Sequence, residues 1–288
     1  MSQRYAFHIV NVFTVDGARL SGNPLCVFPD ARGMSDDDMQ ALARQMNLSE
    51  TTFVLPAPPS EPTATAHVRI FTPGFEMPFA GHPTLGTASV IGAARGLDRV
   101  TLAMRAGLVP VVRGAADTWT LQAARAPTTR APTATRAQLA AMLSLDEAAV
   151  AGPPLWVNTG VEQLVIPLAS VAHVRAATPV PALLAEHGFA PSRDEAMAYV
   201  WARTGADQIE ARFFFTQHGA VIEDPATGSA CANLGGWFRA TAAPLPLTAT
   251  ISQGTAVHRP SRLTLRVADH IHVSGQTIEL GTGTLSLA

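Results

Sequence analysis

Three side chains that can accept or donate a proton lie at boundaries between the helices and strands predicted from the sequence. Glu50 opens the strand-like run ETTFVLP, His82 begins a segment of small residues, and Asp224 precedes a second such segment. A carboxylate, an imidazole and a second carboxylate are the groups that an enzyme needs to move a proton without a cofactor. We therefore predict Glu50, His82 and Asp224 as catalytic residues.

Two predicted helices begin with a glycine followed by a polar residue, in FAGHPTLGTASV and in DPATGSACANLGGW. The first N–H groups of a helix have no partner within the helix, and the helix dipole adds partial positive charge there. Such a start favours a carboxylate or a developing enolate, so a small anionic substrate is expected. The predicted substrate-binding residues are these steps and two polar loop residues: Gly81, Gly228, Ser229, Ser49 and Asn23.

Each of these residues also has an ordinary structural interpretation. Glu50 could be a solvated acid at a helix end, and His82 could satisfy a polar group in the core. Asp224 precedes Pro225, a common way to open a turn or cap a helix. Ser229 could likewise cap its own helix, and Asn23 in SGNP is typical of a turn. From the residues alone these alternatives stay open.

The composition excludes several classes of protein. The 288 residues are 47% hydrophobic and 15% charged with a net charge of −2, which favours a compact fold without a basic face for nucleic acid. All 20 basic residues are arginine, so a lysine Schiff base and a Walker-type phosphate loop are excluded. The sequence also has no GxGxxG, HExxH or CxxC pattern. His270 and His272 have no further candidate ligands, so we predict neither a metal nor a cofactor.

The chain also lacks the features of a membrane or secreted protein. The segment MSQRYAFHIVNVFTV alternates like a strand and has no signal-peptide core, and no apolar run is long enough to span a bilayer. Two cysteines, Cys26 and Cys231, are too few for a disulfide scaffold. The expected location is the cytoplasm, with no membrane partner.

The elements that must position these residues are strands around two buried helices. Ser35 with Asp38 predicts a capped helix, and the charge-poor helix from Gly81, ended by Gly96, must be buried on most sides. Arg-led aromatic strands, RIFTP and RFFFTQ, precede the two Gly-polar steps, which lie 147 residues apart. We interpret this repetition as an internal duplication, with one half at 1–118 and the other at 119–288. The tail HIHVSGQTIELGTGTL is predicted to form a β-hairpin.

Taken together, the motifs resemble those of the PhzF-like family, named for phenazine biosynthesis and related to diaminopimelate epimerases. The matching stretches are VFTVDGARLSGNPLCVF, NLSETTFVLP, RIFTPGFEMPFAGHPTLGTA, EDPATGSA, SQGTAVHRPSRL and VSGQTIELGTGTL. They extend over nearly the whole chain, except that residues 115–200 contribute little.

This resemblance implies an α+β fold of two pseudo-symmetric halves, each a β-barrel wrapped around a central helix, with the active cleft between them. The extreme C-terminal strand is expected to pack on the N-terminal half. The resemblance also implies a homodimer and a cofactor-independent isomerase that moves a proton by acid/base catalysis. The family's acid/base glutamate falls on Glu50, its histidine on His82 and its aspartate on Asp224. Its Gly-Ser pair falls on Gly228 and Ser229.

One departure bears on the related epimerases, which place a cysteine at the start of each central helix. Here those positions hold His82 and Ser229, while Cys231 lies two residues further on. A two-thiol racemase is therefore disfavoured. Two alternatives to the isomerase remain open: an epimerase of a small amino or hydroxy acid that uses Glu50 with another acid/base, and a non-catalytic protein that binds a small ligand.

Overall fold

The computed structural model describes residues 3–123, 125–192, 195–217 and 219–287. The strands within these ranges are β1 Gln3–Val12, β2 Asn23–Phe28, β3 Glu50–Leu55, β4 Ala66–Phe71, β5 Glu76–Met77, β6 Arg99–Met104, β7 Gly107–Arg113, β8 Thr118–Gln122, β9 Thr128–Arg130, β10 Leu155–Asn158, β11 Glu162–Pro167, β12 Phe189–Ala190, β13 Glu195–Arg203, β14 Gln208–Gln217, β15 Ala220–Asp224, β16 Leu247–Gln253, β17 Ser261–Val267 and β18 Ile271–Leu287. The helices are α1 Asp36–Met46, α2 Gly81–Arg95, α3 Arg136–Met142, α4 Val171–Ala176, α5 Pro181–His187 and α6 Gly228–Ala240. Short 3-10 turns lie at Ala115–Asp117, Glu147–Ala149 and Thr255–Val257.

The chain divides into two compact units. Unit 1 comprises the chain up to residue 124 together with residues 274 onward, and unit 2 comprises residues 125–273. Most of the C-terminal strand β18 thus belongs to the same unit as the N-terminal strands. The division lies a few residues after the 118/119 boundary predicted from the sequence. No helix in the described part of the chain is long and apolar enough to cross a membrane.

Unit 1 is a closed β-barrel around α2. Its strands pair in the order β1, β2, β3, β4, β6, β7, β8 and β18, and β18 pairs with β1 to close the ring. The pairs β2–β3 and β4–β6 are parallel, and the other pairs with a resolved register are antiparallel. Helix α2 contacts β1, β2, β3, β6, β7 and β8. This enclosure explains why the helix can be almost without charge.

Unit 2 repeats this pattern of pairing around α6. Strands β11 and β13 are parallel, β13 and β14 antiparallel, β14 and β16 parallel, and β16 and β17 antiparallel. Strands β9 and β10 extend the sheet beyond β11, and α6 contacts β9, β10, β11 and β17. The predicted fold class, α+β with each half a β-barrel around a central helix, is confirmed.

Glycines in the central helices allow the strands to approach closely. A Cβ at Gly86 of α2 would meet the Leu25 side chain at 2.6 Å, and one at Gly236 of α6 would meet Val157 at 2.7 Å. Glycine in a helix interior costs about 1 kcal/mol relative to alanine. Here that cost is offset because the barrel can pack directly on the helix backbone.

The predicted helix boundaries in unit 1 are confirmed. Ser35 caps α1 and forms a capping box with Asp38, because each side chain bonds the other residue's backbone N–H. Met39, Leu42 and Ala43 of this helix are buried. Gly96 ends α2 in the left-handed conformation, with φ of 65°.

The predicted C-terminal hairpin is wrong. Residues Ile271–Leu287 form one strand, β18, which pairs antiparallel with β1 from Gln3↔Leu287 to Val12↔Thr277. Gly275 marks a close approach instead of a turn, since a Cβ at this position would collide with the Phe13 ring. Glycine inside a strand commonly has this role.

Candidate functional site

Three of the predicted residues come together in unit 1. Glu50 is the first residue of β3, and the parallel register pairs it with Leu25 of β2. His82 is the second residue of α2, and its Nδ1 lies 3.5 Å from Glu50 Oε2. The side-chain amide nitrogen of Asn23, at the start of β2, lies 3.3 Å from the same His82 Nδ1. The barrel strands and the start of the central helix therefore build a carboxylate–imidazole–amide cluster.

The cluster is largely shielded from solvent. Asn23 is fully buried, His82 is 3% exposed, and the Glu50 side chain keeps 14% of its surface. Burial lowers the pKa of His82 from 6.5 to about 3, and a hydrogen bond with the Pro24 backbone acts in the opposite direction. The imidazole is therefore neutral at neutral pH, and its contact with Glu50 is a contact between a neutral ring and a carboxyl group. Nε2 of His82 is buried and bonds no protein atom among the described residues.

Replacement of His82 by glutamine, which does not titrate, is expected to remove an acid-sensitive part of the free energy of unfolding. Below pH 6.5 the unfolded chain binds a proton on His82 that the folded chain does not, so stability is fully present above 6.5 and falls as the pH decreases toward about 3. For each unit of acidification in this window, the wild type should lose about 1.4 kcal/mol more than His82→Gln. Urea denaturation of both proteins across this pH window measures the difference, and parallel pH dependences would contradict it.

The start of α2 has the electrostatics of an anion site. No described side chain caps the helix at Ala80, and its first turn contains no acid. The N–H groups of Gly81 and His82 are among the donors that lack an intrahelical partner. Ser49, a half-buried residue, immediately precedes Glu50. An acid/base group and backbone donors thus lie at one end of the barrel helix.

Asp224 belongs to a second polar cluster, in unit 2. It is the last residue of β15 and only 8% exposed. Its Oδ2 accepts a hydrogen bond from Thr227 Oγ1 at 2.6 Å. The buried Gln253, at the end of β16, donates to the Asp224 carbonyl at 2.9 Å and to Thr227 Oγ1 at 3.0 Å. The position of Asp224 is therefore fixed through both its backbone and its carboxylate.

Ser229, the second residue of α6, occupies the same helix position as His82 in α2. Its hydroxyl accepts a hydrogen bond from Gln163 Nε2 at 3.1 Å, and Gln163 Oε1 accepts one from Asn233 at 2.8 Å. Gly228 starts the helix, and no described side chain caps it at Thr227. In both units an amide side chain from a strand thus contacts the second residue of the central helix.

A partly buried ion pair joins β4 to β5, the short strand that precedes α2. Arg69 donates from Nε and Nη2 to the two carboxylate oxygens of Glu76, both at 2.8 Å. Its guanidinium also lies over the Phe71 ring, 5.0 Å from the centroid. Glu76 stands five residues before Gly81, the first residue of α2. A bidentate pair of this kind defines geometry as well as adding energy.

Unit 2 has the same arrangement before α6. Arg212 donates to the two oxygens of Glu223 at 3.1 and 2.7 Å, and its guanidinium lies 4.6 Å from the Phe214 centroid. Glu223 stands five residues before Gly228 and directly before Asp224. The duplication inferred from the sequence is therefore visible in equivalent side-chain contacts.

Neither cysteine is suited to acid/base work at a helix start. Cys26 is a buried residue of β2, and burial raises the pKa of its thiol to about 12. Cys231 is the fourth residue of α6, and burial raises its pKa as well. Both thiols remain protonated at neutral pH, which weighs against thiolate chemistry.

Thr227, Gln253 and Gln163 also belong to these clusters but are not among the residues predicted from the sequence. Thr227 lies inside EDPATGSA and Gln253 inside SQGTAVHRPSRL, so both were part of motifs that carried the resemblance. Gln163 has no such signal. A sequence motif marks a segment as special, but it does not reveal which side chains of that segment bond one another.

Comparisons with known proteins identify the family and the fold. The model of the phenazine biosynthesis-like protein family matches residues 10–284. An uncharacterised isomerase of Pasteurella multocida is 40% identical over 98% of this chain and 94% of its own. The trans-2,3-dihydro-3-hydroxyanthranilate isomerase of Pseudomonas aeruginosa is 36% identical over 86% of this chain and 85% of its own. The structure of a PhzF-family protein from Bacillus anthracis superposes with a TM-score of 0.82 and 21% identity over 98% of this chain and 99% of its own, which concerns the fold alone.

Proposed function

We propose that this chain, which belongs to the phenazine biosynthesis-like protein family, is a cofactor-independent isomerase that moves a proton on a small anionic substrate. Membership confirms the resemblance drawn from the sequence and the expectation of a PhzF-like isomerase. The acid/base mechanism and the roles of individual residues are the new part of the proposal.

The observation that carries the proposal is the Glu50–His82 contact at the start of α2. Glu50 Oε2 lies 3.5 Å from a buried, neutral imidazole, which is long for a hydrogen bond in the unliganded protein and can shorten around substrate. We assign to Glu50 the removal and return of the substrate proton. His82 and Asn23 orient the carboxylate and the substrate, and the Gly81 N–H stabilises negative charge that develops during transfer.

The predicted residues of unit 2 have proposed roles of their own. Asp224 is held as a hydrogen-bond acceptor by Thr227, so it suits a role in proton handling. The N–H groups of Gly228 and Ser229 can bind an anionic group at the start of α6. Ser49, next to Glu50, is proposed as a further donor to the substrate. The homodimer implied by the resemblance stays a prediction.

The first substrate to test is the compound named for the Pseudomonas relative, trans-2,3-dihydro-3-hydroxyanthranilate, which carries a carboxylate. Purified protein should shift its double bond in heavy water and incorporate deuterium at the carbon that gains the proton. Proton NMR observes both events in one sample. Inversion of a stereocentre without a double-bond shift would favour an epimerase, and tight binding without exchange would favour a non-catalytic protein. If a panel of small unsaturated and amino acids also showed no exchange, the proposal would be overturned.

A further inference from the structure

We propose that Gln253 and Thr227 are positioning residues that hold the Asp224 carboxylate and the first residue of α6 in one fixed arrangement. The proposal deepens the proposed function, on which the catalytic importance of Asp224 rests. None of the motifs discussed above assigns a role to either residue.

Three hydrogen bonds fix the orientation of the Gln253 amide. Its Nε2 donates to the Asp224 carbonyl at 2.9 Å and to Thr227 Oγ1 at 3.0 Å, while its Oε1 accepts from the Thr227 N–H at 3.3 Å. An inverted amide would place NH₂ against the Thr227 N–H and oxygen against a carbonyl. Gln253 is 1% exposed, so solvent offers little replacement for these bonds. The Gln253 side chain thereby bonds the backbone on both sides of Pro225-Ala226.

The single proton of the Thr227 hydroxyl is directed at Asp224. Oγ1 accepts from Gln253, so its own proton is free to point at Asp224 Oδ2, 2.6 Å away. A hydroxyl has one donor, and an ionised carboxylate has only acceptors. Gln253 therefore donates to Thr227, and Thr227 donates to Asp224. This order suits the ionised form of Asp224, which can only accept.

Thr227 also connects this cluster to α6. Thr227 is the residue directly before the helix, but its hydroxyl does not cap the helix because it is committed to Asp224. A side chain at this position usually accepts a hydrogen bond from an N–H of the first helical turn, but here the Thr227 hydroxyl bonds the carboxylate instead. No described side chain therefore caps α6 at Thr227, and Asp224 is held four residues before the helix begins.

The test combines a structural readout with kinetics. The variants are Gln253→Met, Thr227→Val and Thr227→Ser, with Thr241→Val as the matched control, because Thr241 bonds the Trp237 carbonyl at the opposite end of the same helix. Hydrogen exchange of the peptide spanning residues 222–231 is followed by mass spectrometry. Rates are measured with trans-2,3-dihydro-3-hydroxyanthranilate in heavy water.

Gln253→Met and Thr227→Val should accelerate exchange in this peptide and lower kcat by roughly 10- to 100-fold, with KM changed by less than about threefold. Thr227→Ser should restore most of kcat because it restores the hydroxyl, and Thr241→Val should change neither readout. Unchanged exchange in Gln253→Met, or equal kcat losses in Thr227→Ser and Thr227→Val, would overturn the proposal. The wild type could fail to convert the compound while Gln253→Met still accelerates hydrogen exchange in residues 222–231. That result would support the positioning role and contradict only the proposed function with this substrate.

Discussion

Replacing Glu50 with glutamine is expected to lower kcat by about 10²- to 10⁴-fold and to abolish deuterium incorporation. Glutamine has nearly the same shape and can keep a polar contact with His82, but its amide cannot take a proton from substrate and return it. The neutral imidazole beside it is a poor replacement, because burial lowers the pKa of His82 to about 3 and opposes the charged form that proton uptake would create. Substrate binding should change far less than kcat.

The measurement is the rate of double-bond shift and deuterium uptake in heavy water, with KM determined for both proteins. Glu147→Gln is the matched control, because Glu147 is an exposed glutamate on a 3-10 turn of unit 2. A Glu50→Gln protein that exchanged at the wild-type rate would show that another group is the base. Asp224→Asn and His82→Gln would then be assayed in the same way.

Local chemistry made much of the fold predictable. The capping box of Ser35 and Asp38 and the terminal Gly96 are read from a few adjacent residues, since the interactions that define them span three or four positions. The enclosure of α2 follows from its lack of charge. Glu50 and His82 were both singled out by type and by their place at element boundaries, and the structure brings them to 3.5 Å.

Contacts between segments that are distant along the chain could not be predicted from the sequence. The alternating tail predicts a hairpin, but the structure has one strand there. Gly275 within it is required by the Phe13 ring, which is 262 residues away along the chain. The bonds of Gln253 to Asp224 and Thr227 likewise join segments whose pairing depends on the barrel. No local pattern encodes either contact.

The duplicated Arg–Glu pairs precede two central helices whose second residues differ in chemistry. In both units the glutamate of the pair stands five residues before the glycine that begins the helix. That residue is His82 in unit 1 and Ser229 in unit 2. We infer that the ion pairs preserve the helix start while the side chain placed on it determines whether the unit supplies an acid/base partner or a hydroxyl.

Gly254→Ala is expected to give the largest loss of stability among single methyl additions near Asp224. Gly254 has φ of +79°, and a Cβ there would fall far inside contact distance of the backbone carbonyl oxygens of Arg259 and Pro225. A left-handed conformation costs an alanine about 1–2 kcal/mol, and forcing atoms into packed structure costs about 1–3 kcal/mol more. Because Pro225 follows Asp224 directly, relief of the collision should also displace the carboxylate and lower kcat.

Gly219→Ala separates the two contributions to this loss. Gly219 lies in the same unit with φ of +77°, and nothing stands within 4 Å of the position its Cβ would take. It should therefore lose only the conformational part, about 1–2 kcal/mol, and keep wild-type kcat. Thermal unfolding and the heavy-water rate assay measure both quantities for the two variants. Equal losses of stability would mean that the backbone around Pro225 can move away from the added methyl group at no cost in free energy. The rigid placement of Asp224 by Gln253 would then lose its support.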